Sequence, residues 1–199
     1  MDFREQKILT FKKQILKHIR KKPEEEACGI IYCDMNKIKY QPVENISSNK
    51  FNSFLIDKKI FAEFNSREIL SIFHSHPKGS EYASKDDIDI CEKISIPYYI
   101  YSCQSKNFSL FYPQSYKPEP LLARSFLPEF QDCVTLVKDF FDLELNIKLS
   151  KLINNWARRR KNESNDHLIN ILNKYFKPID NLSREGDVVV FNMNEGHPF

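Results

Sequence analysis

Several features are scarce in this sequence, and each scarcity excludes a class of protein. No apolar run approaches the about 18 residues that a bilayer-spanning helix needs, so no membrane span is expected. The first residues, Met1-Asp2-Phe3-Arg4-Glu5, hold no apolar signal-peptide core, and the expectation is a cytosolic protein. The five cysteines, Cys28, Cys33, Cys91, Cys103 and Cys133, are odd in number and irregularly spaced. None forms a CxxC pair, so neither a disulfide framework nor a cysteine-zinc site is indicated, and most are expected as buried thiols. Excess charge is small too. A net charge of +3 does not argue for nucleic acid, and none is expected as a partner. Basic residues cluster only at Lys21-Lys22 and at Arg158-Arg159-Arg160-Lys161, the second read as a solvated helix face. There is no internal repeat and no low-complexity tract.

What remains is the composition of an ordinary globular protein, 41% hydrophobic and 29% charged over 199 residues. That length accommodates one generous domain or two modest ones. Ile8, Phe11, Ile15 and Ile19 recur at helical spacing and predict a helix over residues 5–21, which Pro23 stops. Glu24, Glu25 and Glu26 form an acidic entry to a buried strand ending near Cys33. A second strand is predicted from Lys37 to Val43 and a short helix over 57–65. Ile69 to His74 reads as another buried strand, followed by a loop and a helix from about Ser84 to Ile94. Two strands near 97–102 and 108–112, joined by a polar hairpin, complete an α+β pattern. Residues 114–120, with prolines at 118 and 120, have the composition of a linker. Helical patterning resumes near Asp132, again around 151–160 and from 166 to 176. A strand is then predicted over 186–191.

The chemistry gathers at His74-Ser75-His76-Pro77. Side chains two apart on a strand share a face, so both imidazoles can reach one point. Asp87, eleven residues after His76, adds a carboxylate from the first turn of the next helix. Two nitrogens and one carboxylate oxygen make a three-ligand zinc set with a fourth position left for water. Glu26, just ahead of a strand that could pair beside His74, is the candidate base. Ser84 could donate a hydrogen bond to the oxyanion of a tetrahedral intermediate. A competing reading makes Ser84 and Asp87 a capping box and His76-Pro77 a mere strand end.

The pattern of a glutamate at the first strand, HxHP, seven residues between His76 and Ser84, and two more before Asp87 resembles the JAMM (MPN+) metallopeptidases. The segment Glu26-Ala27-Cys28-Gly29 resembles that family's first strand. The resemblance implies a cytidine-deaminase-like α/β sheet domain over residues 1–113. It also implies Zn2+ as cofactor, His74, His76 and Asp87 as its ligands, Glu26 as general base and Ser84 as the oxyanion-stabilising hydroxyl.

Cys133 follows Asp132 and opens a helix, where the dipole favours a thiolate. Together with Arg124 upstream and Gly186-Asp187-Val188-Val189-Val190-Phe191 downstream, it resembles the NlpC-type cell-wall cysteine peptidases. This implies a papain-like α+β domain over 121–199. The chain ends at Gly196-His197-Pro198-Phe199, about where that family's histidine strand begins, so the domain is expected to lack its C-terminal strands. His197 falls in the loop ahead of the missing histidine. Without an imidazole beside it, Cys133 lacks its base, and this domain is expected to be an incomplete, inactive peptidase with uncovered apolar helix surface.

A JAMM domain followed by an NlpC-type domain is similar to the phage tail assembly proteins of the lambda K type. The resemblance implies tail tip proteins as partners, peptidoglycan peptides as a further target, and work in the bacterial cytosol or in the virion tail. Two alternatives stand beside it. One is a free-standing JAMM peptidase that trims a ubiquitin-like or sulfur-carrier protein, with activity confined to residues 1–113. The other is a non-catalytic structural tail component.

Overall fold

A computed structural model of the chain describes residues 3–64, 69–118, 120–149, 169–170, 172–179, 184 and 186–188, with side chains from residue 10 onward. Helix α1 (Phe3–Ile19) buries Phe11, Ile15 and Ile19 along one face, the four-residue spacing read from the sequence. It ends two residues earlier than expected. The Lys21 and Lys22 amides instead reach back three residues, to the His18 and Ile19 carbonyls, in the tight closing turn common at helix ends.

The strands are β1 (Cys28–Asp34), β2 (Lys37–Val43), β3 (Ile69–His76), β4 (Tyr98–Ser102) and β5 (Phe108–Phe111). They form one sheet in the order β2-β1-β3-β4-β5. All neighbours are antiparallel except β3 and β4, which run parallel. The crossover between those two is helix α2 (Lys85–Ile94), as a parallel pair requires. The short helix expected over 57–65 is a single 3-10 segment, Lys58–Glu63, capped by Asp57.

Alternation along the strands divides the core between the two faces of the sheet. One face packs Ile31, Phe73 and Tyr99 against Phe11 and Ile15 of α1. The other packs Ile30, Ile72, Tyr98 and Ile100 against Cys91 of α2. Burying each of these large side chains contributes roughly 1.5–3 kcal/mol. Gly29 marks a close approach. A Cβ there would sit 2.4 Å from the Gln41 carbonyl oxygen and 2.5 Å from the Tyr40 ring. The Tyr40 hydroxyl lies 2.7 Å from His18 Nδ1, which ties α1 to β2 across that glycine.

Leu127, Phe130 and Val134 join the same core as α1 and the sheet. The Phe130 ring tilts against Phe11 and Tyr99, and the Tyr99 hydroxyl donates to Glu129 at 2.6 Å. Helix α3 (Cys133–Leu143) follows. On it the buried Asp139 accepts from Arg124 and from Lys138, both at 2.6 Å. Leu136 and Leu143 on this helix are exposed.

The helix expected around 151–160 and the basic run 158–161 lie outside the described residues. So do His197 and Phe199. Of the strand expected over 186–191, only the first three residues are described. Gly186 sits in a turn at φ +96°, and Asp187 and Val188 are not in a strand. Among the cysteines, Cys28 and Cys91 are buried, Cys33 and Cys103 are half-buried and Cys133 is exposed, fewer buried thiols than expected. No described helix is long and apolar enough to cross a membrane.

Candidate metal centre

His74 and His76 are the last two same-face residues of β3, which runs two residues further than the sequence indicated. Pairing with β4 continues as far as His76 opposite Ser102, so both imidazoles stand on hydrogen-bonded backbone. His74 is wholly buried. Its ring stacks on Phe54 at 4.5 Å between centroids and meets Tyr98 edge-on at 5.3 Å. Its Nε2 lies 3.0 Å from His76 Nε2 and 3.1 Å from Asp87 Oδ1, and His76 Nε2 lies 3.4 Å from Asp87 Oδ2. The three side chains can each aim one ligand atom at a common point.

Asp87 arrives there because it is the third residue of α2. Ser84 is the N-cap: its Oγ accepts from the Asp87 amide at 3.1 Å, and Asp87 Oδ2 accepts from the Ser84 amide at 2.8 Å. Ser84 Oγ also donates to that oxygen at 2.6 Å. Asp87 thus belongs both to the capping box and to the candidate ligand set. The cap holds Oδ2 and turns Oδ1 toward His74.

The donors fit a divalent cation. His76 Nδ1 lies 2.6 Å from the Ser80 carbonyl oxygen, which can only accept, so Nδ1 carries the proton and the neutral ring's lone pair is on Nε2. That lone pair faces a carboxylate oxygen, which is also an acceptor only. In the neutral ring two acceptors thus face one point, which either a proton on Nε2 or a metal cation satisfies. Two imidazole nitrogens with one carboxylate oxygen is a donor set suited to zinc. Among the described residues His74 Nδ1 has no hydrogen-bond partner, and Phe54 and Tyr98 pack against this ring while its Nε2 faces Asp87.

The charges follow from these surroundings. Burial pushes the His74 pKa down, against the bond and charge of Asp87. Burial acts the same way on His76 but is outweighed by Asp87, the Ser80 carbonyl and the charge of Glu26, and its pKa is raised. For Asp87 burial is again the largest single effect. The hydrogen bonds and charge of the two histidines, with Ser84, overcome it and hold the carboxyl well below the usual range.

Glu26 precedes β1 by two residues. Cys28 is opposite His74 in the β1–β3 register, and the Ser75 amide donates to the Ala27 carbonyl at 2.9 Å. Continued to Glu26, this pairing brings it level with His76, on the same sheet face. Glu26 is buried, its amide donating to the Lys50 carbonyl at 2.7 Å and its carbonyl accepting from Asn45 Nδ2 at 2.9 Å. Burial pushes its pKa up to about 7, with His76 opposing and Asp87 adding to the rise. A cavity of about 280 Å³ opens beside it, lined also by His18, Lys21, Val43 and Asn45.

Two supporting residues had no sequence signal. Asn45 knots the following loop, reaching the Ser53 carbonyl and the Ser47 and Leu55 amides, and so presents Phe54 to His74. Ser80 contributes only a backbone carbonyl. Neither role has a local pattern, because both depend on partners brought together by the sheet.

Cys133 opens α3 as expected and is exposed. The Asp132 carboxylate takes the Val134 and Thr135 amides, both at 3.0 Å, the donors on which a thiolate at this helix end would draw. Arg124 is paired with Asp139.

Residues 11–113 match the family described as prokaryotic homologs of the JAB domain. Tail tip assembly protein K of Escherichia phage N15 is 26% identical over 136 residues, which take in 68% of this chain and 55% of that protein. The chain therefore spans about half the length of that curated relative. The solution structure of protein DSY2949 from Desulfitobacterium hafniense is 23% identical, with a TM-score of 0.44 over 54% of this chain and 83% of that one.

Proposed function

The chain belongs to the family of prokaryotic homologs of the JAB domain, and on that premise we propose that it is a zinc-dependent peptidase or isopeptidase serving phage tail assembly. The observation that carries the reading is the convergence of His74, His76 and Asp87 on one point, with Glu26 buried on the same sheet face. His74 and His76 would hold the ion through Nε2, and Asp87 through its carboxylate. Bound zinc supplies a Lewis acid and makes water acidic enough to be a nucleophile near neutral pH. Glu26 takes the proton of the attacking water and returns it to the leaving amine as the C–N bond breaks. Ser84 Oγ turns from Asp87 to donate to the oxyanion of the tetrahedral intermediate.

The tail tip role is supported by the similarity to tail tip assembly protein K. On this reading the substrate is a tail tip protein, processed in the bacterial cytosol or on the virion tail. The metallopeptidase domain is residues 1–113 and 114–120 the connection. Residues 121–199 are NlpC-type and papain-like, a reading supported by Cys133 standing exposed at the start of α3. The shared core of Leu127, Phe130 and Val134 with α1 makes the joint a packed one.

The test is metal analysis of the purified full chain, followed by a cleavage assay on tail tip proteins. The expected result is near-stoichiometric zinc in the wild type and its loss in His76→Ala. Glu26→Gln should retain zinc and lose turnover. A wild-type protein that takes up no zinc overturns the reading.

A further inference from the structure

The loop from Lys78 to Glu81 links β3 to the capped start of α2. A set of hydroxyls on the neighbouring strands holds it by its backbone. Ser102 at the end of β4 is wholly buried, and its Oγ donates to the Gly79 carbonyl at 2.6 Å. The same oxygen accepts from the Gln104 and Ser105 amides at 3.2 and 3.0 Å, so its one proton is committed to Gly79. Ser109 Oγ on β5, also buried, donates to the Glu81 carbonyl, and Ser105 Oγ donates to Glu81 Oε2 at 2.8 Å. Two loop carbonyls and one buried carboxylate are thereby fixed from β4, β5 and their hairpin. The residue between them, Ser80, is exposed and presents its carbonyl to His76 Nδ1.

Gly79 adds a steric part. A Cβ at that position would lie 3.1 Å from His76 Cβ and 3.4 Å from its Cγ and Nδ1. The loop therefore runs against the imidazole itself, and any side chain there would press on the ring.

We infer that Ser102, together with Gly79 and Glu81, is a positioning device for His76: it holds the Ser80 carbonyl where it fixes the Nδ1–H tautomer and so keeps the Nε2 lone pair directed at the metal point. The inference rests on the metal reading of the site and adds residues that touch neither metal nor substrate. A ligand imidazole's remaining N–H partner governs its tautomer and orientation, and losing such support typically weakens metal affinity 10- to 100-fold. Here the support is one carbonyl on a loop whose own anchors lie some twenty residues further along the chain.

The test uses the full chain with Ser102→Ala and Gly79→Ala. Zinc affinity is read by competition with a chelator, melting temperature by calorimetry, and the His76 tautomer from imidazole 15N shifts of the metal-free protein at about pH 9, where the ring is neutral. Ser102→Ala is expected to mix the two tautomers and weaken zinc binding roughly 10- to 100-fold. Gly79→Ala displaces the ring without removing a hydroxyl and should weaken binding similarly. A device that serves folding alone would lower the melting temperature and leave the other two readings in place. Both variants keeping the pure Nδ1–H tautomer and zinc affinity within about twofold of wild type would overturn the inference, since that is the scatter of unrelated substitutions. Should the wild type bind no zinc, the metal reading fails, while the tautomer comparison still decides the role of Ser102.

Discussion

Truncating Asp87 to alanine should act twice, once on the metal and once on the helix, and the two effects can be separated. In the metal-free protein the carboxylate is half of the capping box that starts α2. Losing a cap of this kind costs about 1 kcal/mol. For a chain of this size that is roughly 2–4 °C in melting temperature. With zinc at a hundred times its dissociation constant the wild type gains about 2.7 kcal/mol, or some 5–11 °C. Five cysteines and five histidines in the unfolded chain also bind zinc, which makes this figure an upper bound. Calorimetry with zinc and with a chelator should show both losses in Asp87→Ala. His76→Ala should lose the zinc shift and keep the cap. Asp87→Asn keeps an acceptor for the Ser84 amide without the charge, and should respond weakly to zinc. A full zinc shift in Asp87→Ala would refute its place in the ligand set. An unchanged metal-free melting temperature would refute the cap.

Three further outcomes follow from the geometry. Glu26 must be ionised to take a proton, and its pKa is raised to about 7 in the metal-free protein, so kcat/KM should climb through an acidic limb that lies below that value with zinc bound. Adjacent zinc moves that limb to lower pH, and Glu26→Gln should abolish it with at least a hundredfold loss of kcat, about the least a general base contributes. In the metal-free protein the folded pKa of Glu26 lies above its unfolded value of 4.5, so its contribution to stability should fall as pH rises from there through about 7, as urea titrations would show. Asp139→Ala leaves Arg124 and Lys138 buried without their carboxylate, and chemical denaturation should show a loss of about 3–5 kcal/mol with zinc content unchanged. Gly29→Ala drives a methyl into the Gln41 carbonyl and the Tyr40 ring, and should cost at least about 1–3 kcal/mol by the same measurement.

The elements around the site were legible because they obey local rules. β2 has the bounds predicted for it, and Pro23 lies just beyond the end of α1. His74 and His76 share a face for the reason given by strand geometry, and Asp87 comes from the first turn of α2. The sequence offered capping and ligation as rivals for Ser84 and Asp87; in the structure the cap engages Oδ2 of Asp87 while Oδ1 faces His74. What stayed hidden depends on distant partners. The continued pairing of His76 with β4, the stacking of Phe54 on His74 and the serine anchors of the Ser80 loop have no periodicity to read. Short apolar segments such as Lys58–Glu63 also look alike as α or 3-10 until their packing is known.

The register between β1 and β3 has a consequence for how this site can fail. All three proposed metal ligands lie within one short β-loop-α segment, but the candidate base arrives on another strand, held level by the Ala27–Ser75 pair. Side chains alternate faces, so sliding β1 by one residue would leave the metal donors untouched and send Glu26 through to the α1 side of the sheet. On the proposed reading metal capture would be written locally, while turnover would be a long-range property that a change far along β1 could silence on its own. Descendants of such a chain could become inert zinc-carrying scaffolds without altering a single ligand.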